Sequence, residues 1–229
     1  MKYTTLLIDA DDTLFDFPAC EYGALRQTLT DAGLAFNDEI YHSFSSINSD
    51  LWKKFELNQI TRQELRVRRF SELLDRCFDA LLPEKAPYLA DHYVDCLSHQ
   101  ATLIDGTTDA LHQLSQHCEI YIITNGLSKV QHGRLSLCDI PEYTKRVFIS
   151  EEMGANKPSK LFFDKVLRAV PEKDTTKILV VGDSLTSDMQ GGRNAGLDTC
   201  LYDRFDRVSL PHPLCDYKIG SLNELLPII

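Results

Sequence analysis

Acidic side chains follow directly on two short apolar runs of this sequence, and their type and spacing could support chemistry. Asp9 and Asp11 come after a run that ends at Ile8, and Asp183 follows one that ends at Gly182. A carboxylate can attack phosphorus and form an aspartyl-phosphate. Asp9 and Asp11 are two positions apart on an extended strand end and can face the same side. One could therefore attack while the other exchanges a proton with the leaving group and then with water.

A hydroxyl and an ammonium group occupy comparable places farther along the chain. Thr124 ends another apolar run, Lys157 precedes Pro158, and Asp188 lies shortly after Asp183. Thr124 and Lys157 could bind the oxygens of a transferring group. Carboxylates that converge cannot all stay ionised unless a cation lies among them. Oxygen ligands shared with phosphate favour Mg²⁺, so the pattern predicts a magnesium-dependent phosphate site.

Each of these elements also has an ordinary structural interpretation. Asp and Thr are common in loops between strands and helices, Lys157 alone could be a solvated surface lysine, and Asp188 alone could be a helix N-terminal acid. A calcium loop is excluded because Leu14 and Cys20 replace the required Gly and Glu. The occurrence of all elements in order, each after a strand-like run, favours one shared site.

The apolar runs alternate with helical segments and thereby predict the fold. We expect strands at residues 3–8, 120–123, 147–149, 178–181, 199–202 and 217–219, with helices that include 108–117 and 188–195. Continuous apolar strands of this kind indicate an α/β protein whose parallel, Rossmann-like sheet is covered by helices on both faces. Ligands of such sheets bind beyond the carboxyl ends of the strands, where the polar residues lie.

No strand pattern interrupts residues 18–98, which predicts an inserted all-helical domain. Pro18 and Pro87 can open helices, Ile40 to Phe55 carry apolar residues at helical spacing, and Thr61 with Glu64 forms a capping box. We therefore predict a catalytic core at 1–15 plus 101–229 and a helical cap at 16–100. Aromatic residues of the cap, Trp52, Phe55 and Phe70, are expected in its hydrophobic core.

The charge balance limits the partners of this chain. Its 24 Lys and Arg residues against 34 Asp and Glu give a formal net charge of −10. An acidic surface repels nucleic-acid phosphates and anionic lipid headgroups, so we expect neither a nucleic-acid polymer nor a membrane as partner. The same balance disfavours a small anionic substrate unless a bound cation reverses the sign locally.

The cysteines and the N-terminal residues indicate a cytoplasmic protein. The seven cysteines are scattered without a Cys-x-x-Cys pair, and the histidines show no metal-ligand spacing. Neither a zinc ribbon nor a disulfide framework is indicated, which favours a reducing compartment. The first apolar run meets Asp9 too early for a signal peptide, and no stretch is long enough for a membrane span.

Taken together, these motifs resemble the four motifs of the haloacid dehalogenase-like (HAD) phosphohydrolase superfamily, in order. They are carried by residues 9–13, Thr124, Lys157 with Pro158, and residues 182–188, and the helical insertion resembles that family's cap. The resemblance implies that Asp9 is the nucleophile and Asp11 the acid and base. It also implies that Mg²⁺ is held by the carboxylates of Asp9 and Asp183 and by the backbone carbonyl of Asp11.

The same resemblance implies roles for the remaining residues. Thr124 and Lys157 would clamp phosphate with help from the backbone at Asn125, and Asp188 would support Lys157 or a metal-bound water. Position 12 is Asp where many members have Gly, and this difference puts neither the nucleophile Asp9 nor the acid Asp11 in doubt.

A closer similarity is to the YjjG-type pyrimidine 5′-nucleotidases, through residues 9–17, 47–55, 123–135 and 150–158. It implies a small phosphorylated metabolite as substrate, of the nucleoside 5′-monophosphate class. Asn48 and Lys53 are candidate cap contacts, the alternative being that they are solvated helix residues. Sugar phosphates, phosphoglycolate and acylneuraminate 9-phosphate stay open as substrates. A dehalogenase, a phosphomutase and a non-catalytic binding protein stay open as other functions.

Overall fold

The computed structural model describes residues 2–78 and 83–229. Its described part contains a six-stranded parallel sheet in the order β3-β2-β1-β4-β5-β6. The strands are β1 Thr5–Ile8, β2 Glu119–Thr124, β3 Arg146–Ile149, β4 Ile178–Gly182, β5 Asp198–Tyr202 and β6 Tyr217–Ile219. The predicted α/β class and parallel Rossmann-like sheet are therefore confirmed.

Strand β1 is the centre of the sheet and sets the register at its functional edge. Ile8 lies opposite Ile122 of β2 and Val181 of β4. Asp9, the next residue, is therefore level with Gly182 at the end of β4 and with Ile123, one residue before Thr124, in β2. The strand ends meet at one edge because parallel strands share one direction, and this is why residues far apart in sequence come together.

Some of the helices cover the faces of this sheet, and the first four form a separate block above its carboxyl edge. They are α1 Phe17–Asp31, α2 Asp38–Glu56, α3 Arg62–Cys77, α4 Ala86–Ser98, α5 Thr107–Ser115, α6 Ser128–Leu135, α7 Ile140–Tyr143, α8 Ser150–Met153, α9 Lys160–Ala169 and α10 Gln190–Asn194. Short 3₁₀ turns lie at Pro83–Lys85, Thr175–Lys177 and Leu222–Leu225. Two apolar clusters cover the two faces of the sheet, one containing Leu111 of α5 and the other Phe162 of α9.

Helices α1 to α4 share a third apolar cluster of their own. The rings of Phe44, Phe70 and Tyr93 lie 5.2–5.6 Å apart at its centre. Phe55 and Phe70 belong to this core as expected, whereas Trp52 is only partly buried and borders a cavity. This separate core favours the predicted division into catalytic core and cap, whose boundaries stay a prediction.

The local signals for these cap helices are confirmed by the structure. Thr61 Oγ1 accepts a hydrogen bond from the Glu64 backbone N–H at 3.1 Å, and Glu64 accepts one from the Thr61 N–H at 2.7 Å. Gly33, at φ +69°, follows the end of α1 in the left-handed region that glycine tolerates. No helix of the described ranges has the length and apolar character needed to cross a membrane.

The segment after β4 differs from the helix predicted at residues 188–195. Residues Leu185–Met189 form a π-helical turn that leads into the short helix α10. Asp188 lies inside this turn, where its carboxylate accepts a hydrogen bond from the Ser184 N–H at 3.2 Å. Asp188 is therefore an acid of the first helical turn, as its ordinary structural interpretation expects, and it also contacts Lys157. Its carboxylate bonds back to the loop and into the site below, and π turns are frequent at such sites.

Candidate active site

A cavity of about 540 Å³ lies between the carboxyl edge of the sheet and the cap helices. The strand ends bring several predicted site residues to its floor, and α2 brings two to its roof. The predicted residues that line it are Asp9, Asp11, Asn48, Lys53, Thr124, Asn125, Lys157 and Asp183. Asp188 lies directly beneath the floor, fully buried and in contact with Lys157.

The ammonium group of Lys157 lies at the centre of the floor. Its Nζ donates to Asp9 Oδ1 at 2.5 Å, to Asp188 Oδ1 at 2.6 Å and to the Ile123 carbonyl at 3.0 Å. Lys157 is 1% exposed, so it is not a solvated surface lysine. Burial lowers the pKa of Lys157, but the charges of Asp188 and Asp9 outweigh burial and raise it overall. The ammonium form is therefore the stable one.

Asn125 holds the backbone that carries Lys157. Its Oδ1 accepts from the Lys157 N–H at 2.9 Å, and its Nδ2 donates to the Lys157 carbonyl at 3.0 Å. This pair of bonds ties the loop after β2 to the loop before α9. Thr124 Oγ1 accepts from the Gly126 N–H at 3.0 Å, which leaves its hydroxyl proton available to a ligand in the cavity.

Three carboxylates converge beside Lys157. Oxygens of Asp9, Asp183 and Asp188 lie within 4.8 Å of one another. Burial and the charge of Asp188 raise the pKa of Asp9. Asp183 borders the cavity with an exposed surface, yet the protein packed around its carboxyl group and the charge of Asp9 raise its pKa as well. One ammonium group does not compensate three such acids, so the donor set fits a hard divalent cation such as Mg²⁺.

Asp11 occupies a different environment, two residues away from Asp9. Its carboxylate accepts from Arg134 Nη1 at 2.5 Å and from Gln131 Nε2 at 2.7 Å. Arg134 is fully buried, and its guanidinium lies 4.0 Å from the ring centre of Phe15. The side chain of Asp11 thus points away from the carboxylate cluster, which is compatible with the implied metal contact through its backbone carbonyl.

Sequence reasoning missed Gln131 and Arg134. They stand three residues apart on α6, a spacing that places both on one helix face. Both lie within the stretch 123–135 that carries the resemblance. A Gln and an Arg on the buried side of a short helix are the signal that could have indicated a partner carboxylate, since such groups are rarely buried alone.

The cap residues predicted to contact a ligand differ in their surroundings. Asn48 is 2% exposed, where its Nδ2 donates to Glu21 at 2.8 Å and its Oδ1 accepts from Arg69 at 3.3 Å. It is therefore no solvated helix residue. Burial raises the pKa of Glu21 and lowers that of Arg69. The side chain of Lys53 is largely exposed at the cavity rim and pairs with Asp50 at 3.5 Å.

Direct contacts join the cap to the core on one side of the cavity. Thr186 Oγ1, in the π turn, donates to Glu56 at 2.7 Å at the end of α2. Arg62, at the start of α3, donates to Ser150 Oγ at 2.7 Å at the start of α8. These contacts hold the cap helices against the core on that side of the cavity.

The chain belongs to the haloacid dehalogenase-like hydrolase family, whose profile matches residues 6–202. This confirms the family resemblance and identifies the protein as a hydrolase of that class. The chain is 37% identical to the HAD-hydrolase YfnB of Bacillus subtilis, over 100% of this chain and 96% of that protein.

Two further relatives carry names with a substrate class. The pyrimidine 5′-nucleotidase PynA of Streptococcus pneumoniae is 37% identical over 99% of this chain and 94% of that protein. The pyrimidine 5′-nucleotidase YjjG of Escherichia coli is 31% identical over 98% and 97%. Among solved structures, that of B. subtilis YfnB, described as bound to magnesium, superposes with a TM-score of 0.92 at 36% identity, covering 100% of this chain and 99% of that one.

Replacing Lys157 should show how much the floor depends on its ammonium group. We expect Lys157→Met to lower the free energy of unfolding by about 3–5 kcal/mol, because it leaves buried carboxylates without their cation. Urea denaturation in the presence of a chelator measures this. Lys160→Met is the matched control: Lys160 pairs with Asp164 at the same 2.6 Å, but its side chain is 64% exposed. The control should change stability by about 0–1 kcal/mol. Equal losses in the two variants would contradict the assignment.

Asp12 gives a second, pH-dependent expectation. Its backbone is left-handed at φ +59°, and burial together with the charge of Asp11 raises its pKa to about 7. An acid whose pKa rises on folding holds its proton more tightly in the folded chain. Its contribution to stability is therefore lost as the pH rises from the unfolded pKa of 3.8 to about 7.

We expect Asp12→Asn to become more stable relative to the parent protein as the pH rises from about 4 to about 7. Asn tolerates the left-handed backbone, so the substitution adds no strain. The gain at the higher pH should be on the order of 1 kcal/mol, since the side chain is 37% exposed and screened by solvent. Urea denaturation across this range in chelator measures the gain. A stability difference that is constant with pH would contradict the shifted pKa.

Proposed function

We propose that this hydrolase is a Mg²⁺-dependent phosphomonoesterase that acts through an aspartyl-phosphate, with pyrimidine nucleoside 5′-monophosphates as preferred substrates. The observation that carries the proposal is the separation of two neighbouring carboxylates into two environments. Asp9 lies against Lys157 in the metal-type cluster, while Asp11 is held apart by Arg134 and Gln131. Different environments for paired carboxylates are typical of a nucleophile beside a proton-transfer group.

These positions support the following sequence of steps. Lys157 binds Oδ1 of Asp9, which leaves Oδ2 as the oxygen that attacks phosphorus. Asp11 enters the reaction protonated and gives that proton to the leaving oxygen. As the resulting carboxylate it then takes a proton from the water that hydrolyses the aspartyl-phosphate, which restores its protonated form. Lys157 and the Thr124 hydroxyl bind non-bridging phosphate oxygens, where preorganised donors stabilise the developing charge.

Mg²⁺ would be held by the carboxylates of Asp9 and Asp183 and the backbone carbonyl of Asp11. When bound, it would neutralise charge on the phosphate and the acids around it. Asp188 lies beside this set and orients Lys157. The convergence of the three acidic oxygens supports this assignment, as does the magnesium named for the YfnB structure.

The cavity also supports the nucleotide class of substrate. Phe17 and Trp52 line it from the cap side and offer aromatic surfaces to a base, while Ser45, Asn48 and Lys53 add polar groups. A volume of about 540 Å³ lies within the range of small-molecule sites. The names of the PynA and YjjG relatives support the pyrimidine preference.

A phosphate-release assay tests the proposal. A panel of pyrimidine and purine nucleoside monophosphates, sugar phosphates and phosphoglycolate should give fastest release from the pyrimidine nucleotides, and a chelator should abolish turnover. Asp9→Asn should fold yet lose activity on the order of 10⁴-fold or more, because the attacking oxygen is gone. Halide release from haloacids in chelator would instead indicate a dehalogenase. Near-normal turnover by Asp9→Asn would contradict the mechanism.

Arg134 should act as a positioning residue for Asp11. In Arg134→Met, we expect kcat for a nucleoside monophosphate to fall by about 10²-fold, with a small change in KM. The nucleoside is a poor leaving group that needs a proton from Asp11, and the variant no longer positions Asp11 to give it. The leaving group of p-nitrophenyl phosphate departs without a proton. The rate at which this substrate phosphorylates Asp9, measured in the first turnover by rapid quench, should therefore fall far less. Arg134→Lys should recover part of the loss. Equal losses on both substrates would show a merely structural role.

A further inference from the structure

Three side chains of different chemistry meet on the cap, apart from the residues that line the cavity. His92 Nε2 lies 2.8 Å from Asp31 Oδ2 and 3.8 Å from Cys96 Sγ, and all three atoms lie within 4.8 Å of one another. His92 and Cys96 are one turn apart on α4, and Asp31 is the last residue of α1. The packing of α1 against α4 therefore creates the cluster.

The surroundings hold two of these groups in place. Gln27 Nε2 donates to Asp31 Oδ1 at 2.6 Å, which leaves Oδ2 directed at His92. The ring of Tyr88 stacks on the imidazole of His92, with ring centres 5.7 Å apart and planes 14° apart. Partners that orient a carboxylate and an imidazole are what metal ligands usually have around them.

Hydrogen bonds within the trio cannot satisfy all three groups at once, although the Cys96 thiol also has Thr28 as a partner. Nε2 of a neutral imidazole either carries a proton or offers a lone pair, so it bonds well to Asp31 or to the Cys96 thiol but not to both. A cation accepts electron pairs from all three atoms at once. In tetrahedral coordination with bonds of about 2.0–2.3 Å, ligand atoms lie roughly 3.3–3.8 Å apart. The sulfur-to-nitrogen distance of 3.8 Å already has this value, and the nitrogen-to-oxygen distance of 2.8 Å would need to widen by about 0.5 Å.

We propose that Asp31, His92 and Cys96 form a second metal site, selective for a borderline divalent cation such as Zn²⁺, with water as the fourth ligand. Sulfur and imidazole ligands favour such ions over Mg²⁺, which the all-oxygen active-site cluster favours. His92 and Asp31 are partly exposed, so an ion and its water can enter. A bound ion would join the end of α1 to α4 and stabilise the cap.

Binding has a defined proton balance. The Cys96 thiol releases its proton to solvent and binds as thiolate, and His92 binds through Nε2 as the neutral tautomer with its proton on Nδ1. Two negative ligands then compensate the two charges of the ion. Because an ordinary thiol is protonated at neutral pH, binding should release close to one proton there and weaken as the pH falls.

Metal binding to the full chain tests the proposal. Metal-stripped protein is titrated with Zn²⁺ and, separately, with Co²⁺ as a spectroscopic probe, both in excess Mg²⁺ and on an Asp9→Asn background that weakens the active-site cluster. We expect one Zn²⁺ per chain, a rise in melting temperature, and a thiolate-to-cobalt charge-transfer band. Cys96→Ser should remove the band and His92→Gln should weaken Zn²⁺ binding by at least 10-fold.

Cys215→Ser is the matched control. Cys215 Sγ also lies 3.7 Å from a histidine nitrogen, His212 Nδ1, but this pair has no third ligand in reach among the residues that the structure describes. The control should bind Zn²⁺ and show the cobalt band like the parent. Circular dichroism verifies the fold of each variant. A band that survives Cys96→Ser, or the absence of stoichiometric Zn²⁺ binding in the parent, would overturn the proposal.

Discussion

The ammonium group of Lys157, buried between Asp9 and Asp188, is the interaction on which the rest of the site depends. A buried charge is tolerated only when it is paired, and here one ammonium group lies against two carboxylates. Asp188 is fully buried, so solvent cannot take the place of Lys157 beside its carboxylate. The loops after β1 and β4 and the end of strand β2 are consequently held together by one cation, and the orientation of Asp9 follows from it.

The same arrangement explains how an acidic protein can accept an anionic substrate. The chain carries a net charge of −10, and the floor of its cavity concentrates carboxylates that would repel phosphate. Lys157 compensates part of this charge from below, and the cluster of Asp9, Asp183 and Asp188 is suited to a divalent cation above it. The overall acidity then opposes polyanionic partners while the local sign favours a small phosphate ester.

The cap helices line one side of the cavity and carry internal constraints of their own. These helices bury a polar network of Glu21, Asn48 and Arg69 against aromatic rings, and they reach the core through Glu56 and Arg62. Asn48 therefore has a structural role in the cap as well as a place on the cavity wall. A substitution there would change both, which is why the cap contacts of a substrate are best studied at Trp52 or Lys53.

Much of this protein was readable from the sequence because local rules dominate there. The strands followed from continuous apolar runs, the cap helices from periodicity and the Thr61 capping box, and the floor residues from the rule that polar groups at parallel strand ends converge. Asp188 was expected in a helix that begins at its own position, whereas the helical turn begins three residues earlier, at Leu185. Its side chain bonds to Ser184 as an acid of the first turn, and its second bond, to Lys157, is a tertiary contact that no local signal specifies.

The sequence by itself determined which residue types stand at the strand ends and therefore the family and the chemistry that they can perform. Only the tertiary structure decided which groups pair with them. Arg134 and Gln131 reach Asp11 across more than a hundred residues, and Asp31 meets His92 because α1 packs on α4. Such pairings depend on helix packing and side-chain direction, which no spacing along the chain specifies. Residues at the carboxyl ends of parallel strands share one edge of the sheet, so their meeting can be predicted from sequence. Which helix residues contact them depends on how the whole chain packs.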